Sequence, residues 1–184
     1  MALQDPAGAG GLLQLLAGAM LGLFGGVGTT ALWEGWVRPA RDRRNLARLL
    51  VAEIRMNRRE VEWMIARRGE EPDFLPVNLS LATAVFDARS QDVGALPEEL
   101  LPEVAELYAR FHNLNEVAAT LPVLLERYEQ APDGSDRKTY LEAQLHGRGG
   151  ALFGGLERCE GAIGSVLPRL VRLARFRSEP PPRD

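Results

Sequence analysis

The sequence predicts an all-α protein in which one N-terminal transmembrane helix is followed by a helical bundle of three long helices and one short helix. Three observations carry this prediction: an uncharged apolar stretch near the N-terminus, apolar residues that recur every three or four positions, and no sustained period-two alternation of the kind seen in strands. We assign residues 1–10 to an external tail, 11–37 to the transmembrane helix, 38–178 to a cytoplasmic helical domain and 179–184 to a disordered tail.

The composition fits one soluble domain and excludes several classes of protein. The chain has 184 residues, a formal net charge of -3 and a pI of about 5.6, so it lacks the basic balance of a dedicated nucleic-acid binder. A single cysteine, Cys159, excludes an internal disulfide and any multi-cysteine metal site. We therefore expect no cofactor, no metal and no nucleic-acid partner.

The transmembrane helix is predicted from residues 11–33, which include no acidic or basic side chain. At a rise of about 1.5 Å per residue this stretch covers roughly 34 Å, close to the ~30 Å hydrocarbon thickness of a bilayer. A cleaved signal peptide is the alternative, but it would carry a basic n-region and a shorter apolar core, and neither is present. We therefore expect a retained anchor.

Aromatic and basic residues at the end of this stretch predict its orientation. Trp33 and Trp36 suit the headgroup level of a membrane. A basic cluster follows at once: Arg38, Arg41, Arg43, Arg44 and Arg48. By the positive-inside rule the N-terminus lies outside and the helical domain is cytoplasmic. All basic side chains except Lys138 are arginines, and together with the simple domain this bias suggests a bacterial inner membrane.

Small residues form a stripe along the predicted span. Gly18, Gly22 and Gly26 recur every four residues and Thr30 continues the row, so another backbone can approach closely. Glycine is also common in spans that do not associate. We favour packing against other spans, in a hetero- or homo-oligomer.

The first two cytoplasmic helices follow from spacing and breakers. Apolar residues from Leu46 to Ile65 predict an amphipathic helix that ends near Arg68, with a kink or break at Pro39. Asn78 or Ser80 is expected to cap a short helix that ends near residues 91–94.

Two further long helices are predicted in the C-terminal half. Leu96 and Pro97 give the start signal of one helix, which a kink at Pro122 interrupts. A turn at residues 131–135 precedes the last helix, capped by Ser135 or Asp136. Seven glycines between residues 147 and 164 either break this helix or let it press against a neighbour, and we prefer close packing.

Four polar residues are expected on apolar helix faces: Glu53 and Asn57 on the helix after the span, and Tyr108 and Asn115 on the next long helix. They can meet in the core as a buried polar layer. Such a layer usually fixes helix register through satisfied hydrogen bonds and only occasionally binds a ligand, so we expect a structural role.

Other candidate sites have ordinary explanations. An acidic group, Glu98, Glu99, Glu103 and Glu106, suits the first turns of a helix, and the paired Glu-x-x-His motifs of di-iron bundles are absent. Cys159 is expected to be a small packing residue, and no Gly-Lys-Ser/Thr follows the glycines near residue 149.

A second basic group lies near the C-terminus and comprises Arg169, Arg172, Arg175 and Arg177. These arginines either complement the negative end of the last helix or contact anionic lipid headgroups.

The sequence therefore predicts a non-enzymatic, single-pass inner-membrane scaffold or accessory subunit that binds partners through its span and its helical domain. A homo-oligomeric pore or pore regulator is the alternative, although the span offers only Gln14, Thr29 and Thr30 as polar lining. An enzyme acting at the membrane surface is a third, less favoured possibility.

Overall fold

A computed structural model describes residues 38–175. It contains α1 (Arg38–Glu70), the short α2 (Ala84–Ala88), a 3₁₀ turn (Val93–Ala95), α3 (Leu101–Glu129) and α4 (Asp136–Arg175). No strand occurs in this part of the chain. The predictions of an all-helical protein, and of a bundle with three long helices and one short helix, are confirmed.

The predicted span lies outside the described residues, and so do its small-residue stripe and the two tryptophans near its end. These residues are Gly18, Gly22, Gly26, Thr30, Trp33 and Trp36. Within residues 38–175 no helix is both long and apolar enough to cross a membrane. Chain contacts divide the protein into residues 1–42 and 43–184, and the packing described below is that of the second unit.

Helix α1 buries one stripe of apolar residues, including Leu50, Ile54 and Val61, at the spacing that the sequence predicts. Pro39 is the second residue of the described part of this helix, so the predicted kink or break there lies at the edge of the described residues. Helix α1 ends at Glu70. The amide of Glu71 still bonds to the Arg67 carbonyl, but Pro72 has no amide to continue the pattern, so an irregular connection follows.

Helices α3 and α4 pack along each other and are joined by a short turn. Gly134 has a positive φ of 72°, which glycine adopts without steric cost. Ser135 then caps α4, because its hydroxyl accepts the amide proton of Lys138 at 3.2 Å. This cap was one of the two that the sequence predicts.

The predicted start of α3 was one turn too early. Pro97 begins a turn in which its carbonyl accepts the amides of Leu100 and Leu101, and the regular helix begins at Leu101 with Pro102 in its first turn. Pro102 suits that position as well as Pro97 would, because both lack the N–H that is unpaired at a helix start. Pro122 and Pro168 lie within α3 and α4 without ending either helix.

The glycine-rich part of α4 is one continuous helix, and two of its glycines lie at close contacts. A Cβ added at Gly149 would approach Leu75 Cδ2 to 2.8 Å, and one at Gly155 would approach Leu114 Cδ2 to 2.6 Å. Four others have open space around the added Cβ: Gly147, Gly150, Gly161 and Gly164. Close packing therefore explains Gly149 and Gly155 alone.

Residues 71–100 connect α1 with α3 and contribute to the same core. Leu79, Leu81, Val93 and Leu96 are all buried there. The segment Leu79–Thr83, named here the inserted segment, is irregular and precedes α2; the Thr83 carbonyl accepts the first helical hydrogen bond, from the Asp87 amide. The prediction that Asn78 or Ser80 caps this short helix was wrong, because Thr83 holds the N-cap position and its side chain does not cap.

Candidate functional site: buried polar residues around the inserted segment

Two asparagines on different helices bind neighbouring residues of the inserted segment. On α1, the Asn57 side chain donates to the Ala82 carbonyl and accepts from the Ala82 amide, both at 2.7 Å. On α3, Asn115 makes the same pair of hydrogen bonds with Leu81, again at 2.7 Å each. Each side-chain amide thus supplies the donor and acceptor that a neighbouring strand would supply to an extended backbone.

Glu53 caps α2 from a different helix. Its carboxylate accepts the amide of Val85 at 2.8 Å and that of Phe86 at 3.3 Å, which are unpaired donors in the first turn of α2. Negative charge is favourable at this end of a helix. The sequence predicts a cap from Asn78 or Ser80, but the capping group is the Glu53 carboxylate, about thirty positions earlier in the chain.

Tyr108 completes the arrangement by donating its hydroxyl proton to Glu53 at 2.7 Å. Its ring stacks on Phe86 with 4.2 Å between centroids, and Phe111 packs edge-on against it at 5.3 Å. Tyr108 has no solvent-exposed surface, and Glu53 and Asn57 are buried as well. All four polar residues that the sequence places in the core, Glu53, Asn57, Tyr108 and Asn115, therefore meet around residues 81–86.

The chemistry of this cluster is that of a structural network. Burial, followed by the hydrogen bond to Glu53, holds the pKa of Tyr108 far above its ordinary value, so the phenol stays protonated and acts only as a donor. Within the described residues, every buried side-chain nitrogen and oxygen has a hydrogen-bond partner. A ligand would have to displace one of these partners to bind here.

The basic cluster after the predicted span lies at the start of α1. Arg38, Arg41 and Arg43 are exposed, and Arg44 is half-buried. Farther along the same helix, Arg48 Nε lies 3.4 Å from the carbonyl oxygen of Ala174 near the end of α4.

The C-terminal basic group divides into two kinds of residue. Arg169 forms an ion pair with Glu103, and its guanidinium also donates to the Glu99 carbonyl at 3.3 Å. Arg172 and Arg175 are exposed on the last turns of α4. Arg177 is beyond the described part of the chain.

A cavity of about 310 Å³ lies where the end of α1 meets the middle of α4. Its walls include Phe74, Tyr128 and Phe153, and the Arg68 guanidinium carbon lies 4.3 Å from the Phe153 ring centroid. The volume is at the lower end for a ligand site. Two carboxylates, Asp73 and Glu142, and one guanidinium, Arg68, line it.

Among residues 38–175, metal-binding residue types form at most pairs, such as His112 and Asp87 with 3.1 Å between Nε2 and Oδ1. No cluster of three or more His, Cys, Asp or Glu residues suited to a metal occurs between residues 38 and 175. Cys159 is fully buried, and desolvation raises the pKa of its thiol despite the nearby charges of Arg110 and Arg158. Glu106 forms an ion pair with Arg110 at 2.5 Å.

The short helix predicted from the sequence included Leu81 and so covered part of the inserted segment, which is not helical. The asparagines bind backbone groups that lack a secondary-structure partner. Asn57 lies 25 positions from Ala82 and Asn115 lies 34 positions from Leu81, so no local sequence pattern shows these contacts. Comparison of the chain with protein-family models, with curated protein sequences and with solved structures gave no match.

Proposed function

We propose that this protein is a single-pass membrane scaffold or accessory subunit without catalytic activity. In this proposal residues 11–37 anchor the chain in a bacterial inner membrane, and residues 38–178 form a cytoplasmic helical domain that binds partner proteins. The domain lies close to the membrane and touches anionic headgroups.

The observation that carries the proposal is the meeting of two basic groups that are far apart in sequence. The contact between Arg48 and Ala174 places the end of α4 beside the first half of α1. Arg175 lines the same surface depression as Arg48 and Arg55 of α1, and Arg172 is exposed one turn earlier on α4. Each arginine near an anionic surface contributes about 1 kcal/mol of attraction, so a basic surface at this end favours a position against the inner leaflet.

The interior of the domain supports a binding role over a catalytic one. Its buried carboxylate, phenol and side-chain amides each hydrogen-bond to groups that shape the fold, as described for Glu53, Tyr108, Asn57 and Asn115. A catalytic acid or base needs access to substrate. Glu53, Asn57 and Tyr108 are buried and Asn115 is half-buried, so their hydrogen bonds hold the inserted segment and α2 in place.

The first experiment is extraction of the full-length protein from its host membrane, first with alkaline carbonate and then with mild detergent for native mass spectrometry. Resistance to carbonate and companions in fixed ratio would support an anchored subunit and identify its complex. Release by carbonate would contradict the anchor. A closed ring of copies without companions would favour the alternative, a pore or pore regulator, which conductance recordings in reconstituted bilayers would then test.

The same spectra test the contact with lipid. We expect anionic phospholipid adducts on the wild-type protein and fewer on Arg172→Gln/Arg175→Gln. A matched control is Arg127→Gln/Arg137→Gln, which removes the same charge at the opposite end of the α3 and α4 pair. Equal loss of adducts in both variants would contradict a localised lipid surface.

A further inference from the structure

An apolar stripe runs along the solvent face of α1. Leu49, Met56 and Trp63 are separated by seven residues and are 44%, 58% and 54% exposed. They are three of the five large apolar side chains with this exposure among the described residues, and the other two, Val123 and Tyr140, lie on different helices. Large apolar residues on one exposed line indicate an unpartnered contact surface.

The stripe has the spacing of a coiled-coil seam. If Leu49, Met56 and Trp63 occupy a positions of a heptad, the d positions are Ala52, Arg59 and Ala66, which are also exposed. These six residues are named here the α1 seam. At 3.6 residues per turn the seam lies roughly 180° from the buried stripe of Leu50, Ile54 and Val61. The seam touches the rest of the domain at two places: the Trp63 ring packs edge-on against Phe74 with 6.0 Å between centroids, and Ala52 borders the end of α4 near Arg175. A second helix can pack along the exposed side chains between them.

Charges beside the seam match a second copy of the same helix in parallel orientation. In a parallel two-stranded coiled coil, a g residue faces the e residue of the next heptad on its partner. Arg55 at g then faces Glu60 at e of the second copy, and Glu62 at g faces Arg67 at e. Both pairs join opposite charges, and twofold symmetry makes each pair twice.

The pair formed by Arg55 and Glu60 is available for this contact. Between residues 38 and 175, neither Arg55 nor Glu60 forms an ion pair, whereas Glu62 already pairs with Arg58 at 2.6 Å and Arg67 with Glu71 at 2.7 Å. Arg55 and Glu60 are thus the charges that a partner would satisfy.

We infer that two copies of this chain associate in parallel through the α1 seam. The parallel orientation is assigned from these charge pairs, and the inference rests on the proposed function because a shared membrane holds the two chains together. From Leu49 to the end of α1 the seam covers only about three heptads, which is short for an isolated coiled coil. Joint confinement to a membrane raises the effective concentration of the two helices.

Variants that each add one cysteine to the full-length protein, beside the buried native Cys159, test this inference in the host membrane. Under mild oxidation, Leu49→Cys and Trp63→Cys are each expected to give a disulfide-linked dimer, because like a positions face each other in a parallel pair. Wild-type protein is the blank, since Cys159 is buried, and Glu157→Cys on an exposed position of α4 is the control for random collision. Crosslinking only when Leu49→Cys and Trp63→Cys chains are mixed would show an antiparallel pair and overturn the inference.

A charge exchange tests the seam independently of crosslinking. We expect Arg55→Glu to raise the dimer dissociation constant in mild detergent by about tenfold, because each symmetric pair becomes a repulsion. Adding Glu60→Arg to the same chain is expected to restore the wild-type value, since the pairs return with their charges exchanged. No rescue would contradict the assigned register.

Seam packing is tested by a charge at its centre. Met56→Glu should give a monomer, whereas Val123→Glu, at an exposed apolar residue off the seam, should leave the dimer intact. Both substitutions are at exposed positions and should leave the far-UV circular dichroism spectrum unchanged. A dimer that persists in Met56→Glu would overturn the seam.

The outcomes separate this inference from the proposed function. Carbonate-resistant protein without homotypic crosslinks overturns the dimer and leaves the anchor standing. Crosslinked protein that carbonate releases overturns the anchor and leaves the dimer standing. A heterologous protein that crosslinks to Leu49→Cys and Trp63→Cys in place of a second copy overturns the dimer and assigns the seam to that partner.

Discussion

Asn57 and Asn115 lie on different helices and bind adjacent residues of the inserted segment, Asn57 through Ala82 and Asn115 through Leu81. Each makes two hydrogen bonds to the backbone, so the inserted segment is held from both sides. A segment without a strand partner can remain between helices only if such groups satisfy its amides and carbonyls.

Asn57→Ala and Asn115→Ala are each expected to destabilise the protein by roughly 2–4 kcal/mol, because each leaves a backbone donor and a backbone acceptor without partners. Urea unfolding of the full-length protein in mild detergent, followed by circular dichroism, measures this. The control is Asn113→Ala, an exposed asparagine on the same helix, whose effect should remain within about 0.5 kcal/mol. Equal effects at Asn113 and Asn115 would contradict the role of the pair.

The stability losses of Asn57→Ala and Asn115→Ala should not be additive. Both asparagines hold the same segment, and once one is removed the segment can leave its place. We expect the double variant Asn57→Ala/Asn115→Ala to be more stable than the sum of the single effects predicts, by about 1 kcal/mol or more. Strict additivity in the same unfolding experiment would indicate two independent sites.

Tyr108→Phe should cost about 1–3 kcal/mol, because the Glu53 carboxylate loses its buried hydroxyl donor. It should also change the response to alkali. The pKa of Tyr108 is raised in the folded state, so the stability that its neutral form contributes is complete below the unfolded pKa of about 10 and is lost as the pH rises above it.

The measurement is the free energy of unfolding against pH above about 10. We expect it to fall in the wild-type protein by about 1.4 kcal/mol per pH unit more than in Tyr108→Phe, since one additional group releases a proton on unfolding. Parallel slopes for the two proteins would mean that Tyr108 ionises equally in both states.

The glycines of α4 should separate into two classes on substitution by alanine. Gly161→Ala and Gly164→Ala meet open space and are expected to stabilise the protein by about 1 kcal/mol each through helix propensity. In Gly155→Ala the new Cβ would lie 2.6 Å from Leu114 Cδ2. We expect this variant to be less stable than the wild-type protein by about 1–3 kcal/mol, because the leucine must move in a packed core and this outweighs the gain in helix propensity. Thermal unfolding of the three variants gives the comparison, and equal shifts in Tm would contradict the close approach.

Cys159 should be unreactive in the folded protein. Its thiol is buried and burial raises its pKa, so little thiolate is present near neutral pH and reagent cannot reach it. We expect iodoacetamide to label the protein only in denaturant, as mass spectrometry would detect. Stoichiometric labelling of native protein within minutes would indicate an accessible, ionised thiol.

The sequence by itself determined the helices and their buried faces. Apolar residues at helical spacing predict α1, α3 and α4, and Ser135 marks the start of α4, because these signals act within one or two turns of the same helix. The sequence also shows that four polar residues lie on apolar helix faces, because a residue's face depends only on its position along the helix. They are Glu53, Asn57, Tyr108 and Asn115.

Only the tertiary structure decided what these residues bind. The cap of α2 comes from Glu53 on another helix, and the asparagines pair with Leu81 and Ala82, because folding brings distant backbone within hydrogen-bond reach. It likewise decided that Gly149 and Gly155 meet Leu75 and Leu114, whereas Gly161 meets open space. A local pattern specifies which residues form a helix, but the partner of a buried polar or small residue depends on contacts between elements far apart in the chain.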